Sequence, residues 1–356
     1  MPDRRAFVVA LLAPAGCSRT ERSPGGGSDD ATTRAPSGAA AITAARDEAN
    51  RRLPRVVMLS FGEQDSISPN GQSATSLLRD RLAQLGRVDG KTIVFEERYA
   101  AGDPRLLTRL AREIAESKPD VIVAIAASAT AAARQATDTI PIVMTHVGNP
   151  VEAGLVASLP QPGGNVTGTT SMAQELGHKQ VELFRQLLPA LKRLGVLVNP
   201  TNVASPRLLA NVHEAAGRYG IDVTVAEVTR GDEFDAAFAA LRAARPDALF
   251  VAIEPVIFIN RARVLEFAAA NRLPASYDVG QVVVRQGGLM SYGPLLATHY
   301  ALAAEYVDKI LNGARPGDLP VQQPTQFALV INLKTARALG IKVPQELLQR
   351  ADEVVQ

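Results

Sequence analysis

From Arg55 onward, short β-branched runs alternate with amphipathic segments of helical length, and this alternation restricts the chain more than any other feature. Continuous apolar runs suit strands buried on both faces. Such strands need helices above and below them, so the pattern calls for parallel sheets wrapped by helices. Val56 to Ser60 gives the first strand. Leu77, Leu78, Leu82 and Leu85 then line one side of a helix while Arg79, Asp80 and Arg81 face water, and Gly86 ends it. A second strand falls at Thr92 to Phe95. Asp103 caps the next helix, with Pro104 at its first position and Leu106, Leu107, Leu110 and Ile114 as its buried stripe. Strands follow at Val121 to Ala126 and Ile140 to Thr145, separated by an Ala-rich helix that begins near Ala129.

The unit begins again after Gly163-Gly164-Asn165-Val166-Thr167-Gly168. A helix is expected around Val181 to Leu188, with strands at Leu194 to Val198, Val223 to Val228, Ala248 to Ile253 and Ala275 to Asp278. Helices at Arg207 to Tyr219, Phe234 to Ala244 and Asn260 to Asn271 separate them; in the second, Phe234, Ala237, Phe238 and Leu241 follow the i, i+3, i+4, i+7 rule. A strand at Gly288 to Tyr292, a helix from Pro294 to Leu311 and a segment from Phe327 to Pro344 are left over, so the chain is expected to re-cross between units. The fold class is therefore α/β, with two doubly wound parallel-sheet lobes. Parallel sheets take ligands outside the carboxyl ends of their strands, so two facing sheets make a cleft over a hinge.

Lys and Arg total 38 against 36 Asp and Glu, and a net charge of +2 is too weak a field to draw in nucleic acid or an anionic bilayer. The only cysteine is Cys17, which leaves no thiol cluster for zinc or a disulfide framework. No internal apolar run reaches the ~20 residues of a spanning helix. Residues 1–17, MPDRRAFVVALLAPAGC, have the layout of an export signal: Arg4 and Arg5, the apolar stretch Ala6 to Ala13, then small residues before Cys17. Cys17 also resembles the cysteine of a bacterial lipobox, where lipidation would anchor the chain, although Pro14 stands where such a motif wants leucine. A buried helix start is the alternative. Residues 18–54 are rich in Gly, Ser, Thr and charge and read as a disordered tether.

Four stretches are similar to the ABC transporter substrate-binding family typified by tryptophan- and aromatic-amino-acid-binding proteins. They are Val147-Gly148-Asn149-Pro150-Val151 with Ala153 to Leu159; Pro162 to Gly168; Gly287 to Gly293; and Phe327 to Ala336 running on to Gly340 and Pro344. The resemblance implies a type I periplasmic binding fold, with residues 55–168 and 288–316 in one lobe and 169–287 and 317–356 in the other. It implies three hinge crossings near Gly168, Gly287 and Pro316, with Gly163 and Gly164 also suited to a crossing or to a plain tight turn. It further implies a periplasmic, monomeric protein that binds a small solute, amino-acid-like by preference, and delivers it to an ABC permease and its ATPase. Asn149 replaces the expected aspartate and Val198 stands where tryptophan is common, which leaves the ligand open.

Strand ends name the candidate ligand contacts. Ser128 and Thr130 open a helix whose N-terminus suits an anion, or Ser128 simply caps it. Phe61 and Thr145 end the first and fourth strands. In the second lobe the equivalent positions carry Asn199, Glu254, Tyr277 and Asp278; Asp278 or Glu254 would pair an ammonium group. Asn149 and Asn199 could orient a solute or serve as turn residues beside Pro150 and Pro200. No cofactor or metal is called for: His146, His178, His213 and His299 have no metal-ligand spacing, and no phosphate-loop, dinucleotide or nucleophile-elbow motif is present. His146, at a strand end, keeps open a small-molecule enzyme with a histidine general base, and a ligand-sensing receptor is a second alternative to transport.

Overall fold

The apolar runs at Val56, Val121 and Ile142 become strands covered on both faces, whereas the second strand, expected over Thr92 to Phe95, runs Val94–Tyr99 at the half-exposed edge of its sheet. The computed structural model describes residues 52–63, 73–172, 175–278 and 280–356. The export signal with Cys17, and nearly all of the tether expected over 18–54, lie outside them. In chain order the first lobe contains β1 (Arg55–Ser60), α1 (Ala74–Gln84), β2 (Val94–Tyr99), α2 (Pro104–Glu116), β3 (Val121–Ile125), α3 (Ala126–Ala136), β4 (Ile142–Val147) and β5 (Val166–Thr170). Its five strands are parallel in the order β2-β1-β3-β4-β5. Val57, Leu59, Ile122 and Met144 pack toward α2 and α3, whereas Val56, Met58, Val121 and Val143 pack toward the opposite face. Burying one such side chain contributes roughly 1.5–3 kcal/mol, which is why the runs must be apolar on every residue. Asp103 caps α2 as expected, its carboxylate accepting the Arg105 and Leu106 N–H groups.

The second lobe continues with α4 (Leu176–Leu187), β6 (Arg193–Val198), α5 (Ser205–Arg218), β7 (Asp222–Glu227), α6 (Phe234–Ala244), β8 (Ala248–Val251), α7 (Pro255–Ile259), α8 (Arg261–Ala270), β9 (Ala275–Tyr277), α9 (Gln281–Arg285) and β10 (Met290–Pro294). The chain then forms α10 (Leu296–Leu311), β11 (Phe327–Asn332), α11 (Leu333–Leu339), α12 (Gln345–Arg350) and β12 (Glu353–Val355). The second sheet runs β12-β11-β10-β9-β8-β6-β7. All its pairs are parallel except β10 with β11. That exception follows from the route: the chain leaves β10 at the cleft end, visits the first lobe, and re-enters beside β10 from the same end, so β11 must run the other way.

The route also corrects the expected lobe boundaries. β10 pairs with β9 and β11, so residues 290–294 belong to the second lobe rather than the first. α10 packs on α1 and the first sheet, its Ala303, Ala304 and Val307 joining Val56 and Leu78. Residues 316–322 stay with the first lobe too, because Gly163 N–H donates to Gly317 O at 3.1 Å and Gln322 N–H to Gly168 O at 2.9 Å. The three crossings therefore lie between Thr170 and Leu176, between Pro294 and Leu296, and between Gln322 and Phe327. None of the four candidate hinge glycines sits at one. Gly163 and Gly164 lie in the loop before β5, Gly168 lies within β5, and Gly287, with φ +123, makes the turn from α9 toward β10. Two strands were not expected: β5, formed where a hinge crossing or a tight turn was expected, and β12 at the end of the chain's second sheet.

Candidate functional site

The carboxyl ends of both sheets face one cavity of about 340 Å³, a volume suited to a small organic solute. From the first lobe come Phe61 beyond β1, Tyr99 at the end of β2, the β3–α3 junction Ile125 to Ser128, and His146 and Gly148 at β4. Leu296 and Tyr300 of α10 close that side. The second lobe supplies residues 199 and 201–204 beyond β6 and residues 253–255, 258 and 259 beyond β8. The lobes touch at the rim. Ile259 packs against the first lobe's apolar cluster, and a methyl group added at Gly102 would stand 3.3 Å from its Cδ1.

On the first-lobe side the decisive element is the start of α3. The helix begins at Ala126, three residues earlier than expected, directly from β3 and with φ +69 at Ala126. Its cap position is held by Ile125, whose side chain makes no capping bond. The N–H groups of the first turn therefore point outward without an intrahelical partner, and Ala126, Ala127 and Ser128 line the cavity there. Ser128 is inside the first turn rather than the cap. Thr130, also expected to contact ligand, is fully buried and donates its hydroxyl to Ala126 O at 2.8 Å, so it serves the helix and is absent from the cavity wall.

On the second-lobe side Glu254 is the N-cap of α7, with Pro255 next to it. Its Oε1 accepts the Val256 and Ile257 N–H groups at 3.0 and 3.2 Å, and its Oε2 accepts Asn199 Nδ2 at 3.0 Å. Burial pushes the carboxyl above its ordinary range, an effect that these three donors only partly oppose. Asn199 is fixed in turn by Thr201, whose N–H and hydroxyl both donate to Oδ1. Among the described residues the lining carries two carboxylates, Glu254 and Glu63, and no lysine or arginine.

The other expected contacts lie elsewhere. Asn149 makes a turn with Glu152, accepting its N–H at 3.2 Å and donating to its carboxylate at 2.7 Å. Thr145 and Tyr277 are fully buried, their hydroxyls without a hydrogen-bond partner among the described residues, and neither is in the cavity wall. Asp278 accepts Ile253 N–H at 2.6 Å and lines only a small side pocket next to Glu254. The wall also contains residues that were not expected: Tyr99, Phe258, Ile259, Leu296 and Tyr300. For Phe258 and Ile259 the signal was present, since Glu254-Pro255 is a cap followed by a first-turn proline.

Two histidines far apart in sequence meet here, His146 in the wall and His299 behind it. The rings of His146 and His299 stand 4.5 Å apart in a T-shaped contact, and His299 Nδ1 lies 3.0 Å from Thr169 Oγ1. Burial brings His299 from 6.5 down to about 4 and holds His146 well below its ordinary value, to which the neighbouring His299 adds. The unfolded chain takes up the His299 proton as pH falls through 6.5 and the folded chain resists until about 4, so stability is lost across that interval, and His146 acts in the same direction. For His299 the loss reaches up to about 3 kcal/mol. Denaturant titrations of the wild type and His299→Gln should show a stability gap that narrows between about pH 7 and about pH 4.5. A constant gap would refute the buried neutral pair. Among the described residues no group of three or more His, Cys, Asp or Glu is placed to hold a metal ion.

A two-lobed α/β body with one solute-sized cavity between strand ends matches a family model for ABC transporter substrate binding proteins over residues 67–355. The chain belongs to that family. A tyrosine-binding protein of Clostridioides difficile is 30% identical over 267 residues, 73% of this chain and 74% of the relative. Among solved structures, a conserved domain protein from Vibrio cholerae superposes with TM-score 0.77 at 30% identity, covering 85% of this chain and all of that one. The ABC domain from Streptococcus pneumonia in complex with L-Trp superposes with TM-score 0.78 at 26% identity and the same coverage. This substrate-binding protein thus has the type I periplasmic binding fold, and small-solute capture is the work of its cavity. No helix among the described residues is long and apolar enough to cross a membrane.

Proposed function

We propose that the protein captures an α-amino acid with an aromatic side chain outside the cytoplasm and hands it to an ABC permease and its ATPase, without chemical change. One observation carries this reading: a cavity with apolar and aromatic walls places an uncapped helix N-terminus on one lobe and, on the other, an acidic side chain, Glu254, with no lysine or arginine among the described residues of the wall. A zwitterion fits both ends. Its carboxylate takes the N–H groups of α3 and its ammonium faces Glu254, so the ligand ties the lobes together and favours the closed form by its differential affinity. Phe61, Tyr99 and Tyr300 offer ring surface for the side chain. The names of the relatives, a tyrosine-binding protein and a domain crystallised with L-Trp, point to the same class.

A passive role accords with the state of His146. It is held neutral between His299 and Tyr300, with no carboxylate among the described residues hydrogen-bonded to it to orient it as a general base. The reading is tested by a thermal-shift screen of amino acids, sugars and purines. A ligand at 100 times its Kd stabilises by about 2.7 kcal/mol, so aromatic amino acids should raise the melting temperature by several degrees. A shift with sugars or purines and none with amino acids would overturn it.

A further inference from the structure

Two tyrosines meet at one corner of the cavity, and only one of them has its hydroxyl committed. Met58, Thr75, Tyr99 and Tyr300 line this corner. Met58 and Tyr99 pack with α1 and α10, on the face of the first sheet opposite α3. Tyr99 donates its hydroxyl to Glu97 Oε2 at 2.7 Å. That uses its one proton, so in the 2.7 Å contact between the Thr75 and Tyr99 hydroxyls the threonine is the donor. Glu97 is held in turn by Arg79, which donates to its Oε1 at 2.9 Å. Tyr99 is thus anchored from behind and gives the cavity its ring alone.

Tyr300 has no such anchor. It is 6% exposed and stands in the cavity wall, its ring edge-on to His146 at 5.2 Å. Its hydroxyl has no hydrogen-bond partner among the described residues, yet it is not sealed off as the Tyr277 hydroxyl is. In a residue so nearly buried, the surface that stays open is the surface facing the cavity. Burial holds this hydroxyl above its ordinary value and the neighbouring Tyr99 adds to the effect, so it keeps its proton and offers both a donor and an acceptor. A phenylalanine would line the wall equally well without leaving a polar group unmatched. We infer that Tyr300 sets which aromatic solutes the cavity prefers, its hydroxyl bonding an O–H or N–H carried on the ring of the bound solute, so that phenol or indole rings are favoured over a hydrocarbon ring. This rests on the amino-acid reading above, in which α3 and Glu254 take the two charged ends of the solute and the ring is left to this corner. Discrimination at such a site is large, because a solute lacking the ring group leaves the enclosed hydroxyl unpaired.

The test is calorimetric titration of the full chain with L-tyrosine, L-tryptophan and L-phenylalanine. The wild type should bind one of the first two about tenfold or more tighter than phenylalanine. In Tyr300→Phe, which removes a single oxygen, that preference should collapse to within about threefold, whereas a merely structural role would weaken all three alike. The unliganded variant should melt no more than about a degree below the wild type, since no bond within the protein is lost. Equal wild-type affinities for the three, an undiminished preference in Tyr300→Phe, or a melting temperature several degrees lower would each overturn the assignment. Binding of none of the three would instead refute the amino-acid reading and this inference with it.

Discussion

Glu254→Gln should weaken binding of an aromatic amino acid by about tenfold to a hundredfold while leaving the folded body in place. The reason is the separation of two tasks in one side chain. Oε1 caps α7 through the Val256 and Ile257 N–H groups, and the carbonyl of glutamine can still accept them, although the glutamine amide gives up the bond that Oε2 accepts from Asn199 Nδ2, so the unliganded variant should melt slightly lower. The negative charge has no cationic partner among the described residues of the cavity wall, and burial has already pushed the carboxyl upward. A ligand ammonium is the group that would complete it. A hydrogen bond to a charged group contributes about 1.5–3 kcal/mol, which converts to the range given. The same shift sets a pH dependence. With its folded value raised, Glu254 takes up a proton at higher pH than an ordinary glutamate, so wild-type affinity should decline as pH falls toward the carboxylate range, and Glu254→Gln should lack that decline. Calorimetry at two pH values, with the melting temperature of the unliganded variant as control, reads both. Unchanged affinity in a folded Glu254→Gln would remove the residue from the site. The parallel substitution Asp278→Ala bears on a carboxylate that accepts Ile253 N–H outside the main cavity, so its effect should come through that loop rather than through the ligand.

Glu254 and Asp278 show where sequence reading stops. Both are acidic, both follow second-lobe strands, and nothing in their spacing says which one faces the cleft. The answer depends on the cap geometry of α7 and on which carboxylate accepts Ile253 N–H. The strands themselves were legible because burial on both faces demands unbroken apolar runs, as in Val121–Ile125. β5 escaped for the converse reason. Its Val-Thr-Gly-Thr-Thr run is buried although mostly polar, and its three hydroxyls are satisfied by distant partners: Thr167 donates to Leu319 O at 2.7 Å, Thr170 donates to Gly148 O at 2.8 Å, and Thr169 pairs with His299 Nδ1. Tyr277 follows β9 into the apolar core of the second lobe, an orientation fixed by its neighbours in the sheet. The contact of His146 with His299 joins β4 to α10, and only the second crossing brings those elements together.

The largest effect on the fold is expected from Gly168→Ala. Gly168 was a candidate hinge position; it lies instead inside β5, opposite Met144, with φ +132. A Cβ there would stand 2.0 Å from Met144 O and 2.8 Å from Met144 N. Those are backbone atoms, so no rotamer change relieves the overlap; β4 or β5 must move. Neither is free to do so. Gly168 O accepts Gln322 N–H from the segment returning toward the third crossing, and the next residue, Thr169, holds His299. Backbone strain and overpacking each cost about 1–3 kcal/mol, so together they should destabilise the protein by roughly 3 kcal/mol or more. In melting temperature that is a fall of about 6 °C or more. Gly164→Ala provides the comparison, because nothing lies within 4 Å of the Cβ it adds, and it should melt within about a degree of the wild type. A shift of β4 large enough to admit the methyl group would also displace His146 and the cavity wall, so Gly168→Ala should lose ligand affinity even where it remains folded. Equal melting temperatures for the two variants would mean that β4 yields at little cost, and the tight pairing of Met144 with Gly168 would then have no part in holding the site.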